Sequence, residues 1–125
     1  MGTKEIPSQE WETFCRRITD LRNEALLTIE VVGRDGKRDE IARNVPWQRI
    51  AFEKTNGCND QIALDLGEPA KRPVTHLIVE PIQILLRRGE NGSYNPMEID
   101  AESGITVLTF RPALRADFLE PARAQ

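Results

Sequence analysis

Apolar positions along the chain follow two periods. Trp11, Phe14, Cys15, Ile18 and Leu21 recur at the spacing of one helix face, with Arg16, Arg17 and Asp20 opposite. Ser8 offers a cap hydroxyl, and Glu10 and Glu12 sit where the helix dipole favours acids. The pattern predicts an amphipathic helix of about four turns. From residue 25 onward the period is two. Leu27, Ile29 and Val31 share a face, Asp35-Gly36 turns the chain, and a polar return over 37–43 has only Ile41 firmly apolar. That return strand reads as a sheet edge protected by charge. Residues 47–53 follow as a strand with Ile50 and Phe52 inward, and 61–66 as one with Ile62, Leu64 and Leu66 inward. Residues 97–101 and 105–111 make a hairpin about Ser103-Gly104, its second strand apolar on both faces and therefore central. Pro112 ends it. Leu114 and Phe118, four apart, predict a short helical turn over 113–119.

Residues 74–88 are the densest apolar run and hold the single histidine, His76, and Pro81. Strict alternation puts His76 and Glu80 on a face with Val74, Ile78, Ile82, Ile84 and Leu86. Proline has no N–H to give a ladder, so a bend at Glu80-Pro81 is the better reading. A one-residue shift there turns Leu77 and Val79 inward, followed by Ile82, Ile84 and Leu86, and places His76 on or near the surface. The elements add up to an α+β fold: an N-terminal amphipathic helix followed by about eight mostly antiparallel strands forming a sandwich or open barrel. A single domain is expected over residues 4–112, with a C-terminal turn and tail over 113–125.

Composition narrows the function classes. With 125 residues, 39% hydrophobic and 30% charged, the chain is long enough to bury a core without a metal or disulfide staple. A net charge of -3 argues against a general nucleic-acid binder. Cys15 and Cys58 form neither a disulfide framework nor a metal-ligand spacing. The start of the chain has no apolar signal-type segment, and no apolar run approaches the ~18 residues of a membrane helix. The expected setting is the cytoplasm.

The order of short motifs resembles an uncharacterised family of small bacterial proteins, a domain of unknown function. Glu5-Ile6-Pro7 precedes Trp11, then come Asp35-Gly36, His76-x-Ile78-x-x-Pro81, and Glu98-Ile99…Gly104…Leu108-x-Phe110. The similarity spans about residues 4–110. It implies a stand-alone bacterial domain and brings no activity, substrate or cofactor.

His76 is the one candidate for catalysis, as a general base near neutral pH. Glu80 lies about 13 Å away along a strand, so a dyad needs Asp65, Glu98 or Asp100 from a neighbouring strand. A partly buried histidine bonded to a backbone carbonyl is the commoner arrangement. Trp11 reads as a packing anchor before a ligand contact. Gly33, Arg34, Gly36 and Lys37 lack the remaining spacing of a phosphate loop, and Asp100-x-Glu102-x-Gly104 lacks the glutamate of a calcium loop. Arg16-Arg17 and Arg87-Arg88, with Tyr94 or Trp47, could line an anion or RNA patch, but ion pairing with the twenty acids is the simpler account. No cofactor or metal set emerges. The expectation is a small non-catalytic binding or assembly module, a homo-oligomer through a sheet edge or apolar face, or one with a protein partner. The alternative is a small-ligand carrier or enzyme with an internal barrel pocket near His76.

Overall fold

The computed structural model describes residues 3–54, 60–68, 70–88 and 93–115. In chain order these form β1 (Thr3–Ile6), a 3-10 turn (Ser8–Glu10), α1 (Trp11–Thr19), β2 (Leu26–Gly33), β3 (Arg38–Val45) and β4 (Trp47–Glu53). There follow β5 (Gln61–Leu66), β6 (Val74–Val79), β7 (Pro81–Arg88), β8 (Ser93–Ala101), β9 (Gly104–Arg111) and β10 (Leu114–Arg115). The strands build two antiparallel sheets. The larger runs β1-β7-β8-β9-β2-β3, with β10 added to β8, and the smaller runs β4-β5-β6. They form a sandwich and do not close into a barrel, and α1 packs along β4.

Alternation fills the space between the sheets. Register aligns Ile6, Ile84, Ile99 and Thr106 in one row of the large sheet, and Leu86, Met97, Leu108 and Ile29 in the next. Ile50, Ile62, Leu64 and Ile78 of the small sheet and Trp11, Phe14, Cys15, Ile18 and Leu21 join the same buried cluster. Both indoles keep a hydrogen-bond partner inside it. Trp11 Nε1 donates to the Ile6 carbonyl at 2.8 Å and Trp47 Nε1 to the Ala25 carbonyl at 2.9 Å. Trp11 is thus the anchor expected of it, edge-on to Phe52.

The chain changes sheet at two similar places. Asn44 precedes Val45-Pro46 between β3 and β4, and Glu80 precedes Pro81 between β6 and β7. Both residues have left-handed backbones, with φ of 48° and 53°. Such a residue breaks the alternation, and the proline after it withholds an N–H from the old ladder. Hence 74–88 is two strands in different sheets.

Several expectations need correction. The helix is shorter than four turns, because Ser8 opens a 3-10 turn and its hydroxyl caps nothing. Among the described residues there are ten strands, not eight. β1 has no alternating pattern to mark it, because only Ile6 of its four residues is buried. Leu114–Arg115 pairs with Ser93–Tyr94 as a strand where a helical turn was expected, and Leu114 enters the core; Phe118 lies outside the described residues. β8 starts at Ser93, four residues before the expected strand over 97–101, since its polar residues are bonded: the Asn95 side chain brackets the Phe110 N–H and carbonyl at 2.9 and 2.8 Å. β9 is central as expected, but only its Thr106, Leu108 and Phe110 face is buried; Ile105, Val107 and Thr109 are half-exposed.

Candidate functional site

Two open sheets have four outer edges, and an exposed edge is a row of unpaired N–H and C=O groups that invites another strand. Three edges are managed within the chain. β3 carries Arg38, Asp39, Glu40 and Arg43, with Arg38 bonded to Glu30 and Arg43 to Glu40. β1 is four residues long and carries Lys4 and Glu5. β4 is covered by α1. There the Ile50 N–H donates to Thr19 Oγ1 at 3.0 Å, and the hydroxyl lies 2.9 Å from both the Ile50 and the Cys15 carbonyls. The single hydroxyl proton serves one carbonyl at a time. The side chain thereby stands in for a missing strand.

The fourth edge is β6. Its sequence, Val-Thr-His-Leu-Ile-Val, has no Asp, Glu, Lys or Arg, and it pairs only with β5 among the described strands. Which backbone groups it offers follows from the ladder. Ile50 points its N–H and carbonyl away from β5, toward Thr19. Direction alternates residue by residue in an antiparallel pair. Ala51 therefore exchanges bonds with Ala63, and Leu64 turns its groups to His76. The bond from the Glu80 N–H to the Asp60 carbonyl, 2.8 Å, obeys the same alternation. Thr75, Leu77 and Val79 are left with these groups facing away from β5, where no described strand pairs with them. Their side chains lie on the outer face of the small sheet, where Leu77 and Val79 are about half exposed.

This outcome inverts the preferred sequence reading of the strand. Ile78 is buried and Leu77 and Val79 are not, so plain alternation holds through β6 and the shift comes only at Glu80. Ile82, also expected inward, is exposed, while Ile84 and Leu86 are buried as expected. Both faces of β6 and β7 carry aliphatic residues, so hydrophobicity could not tell inside from outside.

His76 lies on the inner face, half-buried between Val74 and Ile78 and opposite Leu64. Burial pushes its pKa below the usual value. The three candidate carboxylates are each engaged with other side chains. Asp65 is on the other face, accepting from Arg49 at 3.1 Å and Thr75 at 2.7 Å. Glu98 takes both ends of the Arg87 guanidinium, and Asp100 accepts from Arg34. Arg34 also reaches the Ala101 and Glu102 carbonyls, so the basic turn suggested as a phosphate loop instead ties two hairpins together. Arg16 pairs with Glu12, Arg88 stacks on and bonds to Tyr94, and Trp47 is buried, so the two basic pairs are taken up by separate neighbours. Cys15 is buried, which pushes its thiol up to about 12. Cys58 lies outside the described residues. Among those described, no three His, Cys, Asp or Glu side chains group so as to hold a metal ion.

A shallow groove of about 310 Å³ runs between α1 and β4, lined by Glu12, Arg16, Thr19, Arg49, Ile50, Ala51, Phe52 and Glu53. His76 does not line it. Arg49 is already shared between Asp65 and Glu53, and Arg16 is paired with Glu12, so the groove presents charges that are satisfied in place. Among the described residues no helix is long and apolar enough to cross a membrane.

The model of a protein family described as Family of unknown function (DUF5335) matches residues 2–118, and the chain belongs to that family. No curated protein and no solved structure matches it.

Proposed function

We propose that this DUF5335 chain is a non-catalytic assembly module that self-associates by adding a strand at the β6 edge. The observation that carries the reading is the contrast between that edge and the other three. A six-residue strand rich in β-branched residues, without charge or internal proline, is the type that sheets otherwise protect. Strand addition gives affinity through backbone bonds and specificity through alternate side chains, here Thr75, Leu77 and Val79. The setting within this proposal is the bacterial cytoplasm, where a free thiol such as Cys15 stays reduced.

Light scattering on a sizing column at low micromolar concentration tests it. The wild-type chain elutes as an oligomer. Leu77→Lys weakens association at least tenfold, whereas Ile41→Lys on β3 leaves it unchanged. Leu77 and Ile41 are 48% and 46% exposed, so the two substitutions differ in edge and not in burial. A wild-type monomer under these conditions sinks the proposal.

A further inference from the structure

We infer that the assembly is a closed two-fold dimer in which β6 pairs antiparallel with β6 of a second copy, Leu77 lying opposite Leu77 on the axis. This rests on the self-association proposed above and specifies its partner, symmetry and register.

The outward-pointing residues are Thr75, Leu77 and Val79, centred on Leu77. A two-fold axis through Leu77 sets Thr75 of one copy against Val79 of the other, so every outward N–H meets an outward carbonyl. The three facing side-chain pairs on the outer surface are then Leu with Leu and, twice, Thr with Val. None carries charge, so an isologous contact has no like-charge clash. The flanking charges select the direction. Arg72 stands before β6 and Glu80 after it, and both are exposed. In an antiparallel pair, Arg72 of one copy falls diagonally across from Glu80 of the other, within reach of long side chains. A parallel pair would set Arg72 beside Arg72 and Glu80 beside Glu80.

Closure follows from the far edge of the same sheet. Joining two β6 strands makes one six-stranded sheet, β4-β5-β6 continuing into β6-β5-β4 of the second copy. Its two ends are the β4 strands, each with Thr19 of α1 on the outward groups of Ile50. α1 lies along each of these strands and a further strand would have to displace it, so the contact ends at two copies and does not grow into a fibre.

Oxidative cross-linking of variants with one added cysteine, in a Cys58→Ser background where the remaining native thiol, Cys15, is buried, tests the register. Facing residues of a bonded antiparallel pair have Cα atoms about 5.5 Å apart, within disulfide range. Leu77→Cys gives a covalent dimer several-fold faster than Thr75→Cys or Val79→Cys alone, and an equimolar mixture of those last two cross-links as a heterodimer. Arg72→Glu and Glu80→Arg each weaken the dimer, and the double variant restores it. A dimer by light scattering that cross-links at another set of positions overturns the symmetry and register but leaves self-association standing. Species larger than a dimer overturn closure. A strict monomer removes the assembly proposal itself; slow amide exchange at Leu77 in that monomer would put another segment of the chain on the edge.

Discussion

The two edges of the small sheet are treated in opposite ways. At β4 the helix lies alongside the strand, and the Thr19 hydroxyl accepts from the Ile50 N–H and shares its own proton between the Ile50 and Cys15 carbonyls. At β6 the corresponding groups of Thr75, Leu77 and Val79 face outward, and the side chains beside them are uncharged. The cover on β4 is local and cheap in sequence terms, one threonine at the end of a helix that has to pack somewhere. The same chain charges β3 and keeps β1 short. An edge left apolar in a molecule that protects its others is therefore a feature to be tested as an interface.

The largest expected effect separates the two faces of β6. Ile78 is buried on the inner side, and Ile78→Ala costs about 2–5 kcal/mol of folding stability, as measured by denaturant unfolding of the dilute protein. If Ile78→Ala proves as mild as an exposed substitution, the assignment of inner and outer faces is wrong. Next comes the seal on β4. Thr19→Val keeps the shape but strips the hydroxyl from the Ile50 N–H and carbonyl, at a cost of about 1–3 kcal/mol in the same measurement. On the proposed dimer it also opens a second edge and yields larger species at high concentration. Wild-type stability and size for Thr19→Val would show that the helix backbone alone covers β4. The smallest effect belongs to His76. Its folded-state pKa lies below the ordinary 6.5 because burial disfavours the charged ring. The unfolded chain then takes up the proton first as pH falls. Stability is full above about 6.5 and declines below it, until the folded-state value is passed. His76→Gln flattens that slope in a pH series of unfolding midpoints. An unchanged slope would mean that the ring is as solvated folded as unfolded.

How far the candidate edge was legible beforehand can be argued residue by residue. The apolar stripe from Trp11 to Leu21, the alternation of Leu27 with Ile29, the charged return strand and the break at Glu80-Pro81 all follow from local periodicity and from proline's missing N–H. These features depend on a few neighbouring residues, so sequence suffices for them, and the family match agrees with the resemblance seen in the motifs. Three things belong to the tertiary structure alone. Whether Leu77 or Ile78 faces inward is a parity question, and β6 is aliphatic on both sides, so only packing against the large sheet could settle it. Thr19 as the seal of a strand 31 residues away has no local signature, because an ordinary threonine at a helix end looks the same. That β6 ends its sheet among the described strands is a property of strand order, which depends on long-range pairing and not on the strand's own residues. Sequence determined that β6 is a strand without charge; only the fold decided that such a strand stands last in its sheet.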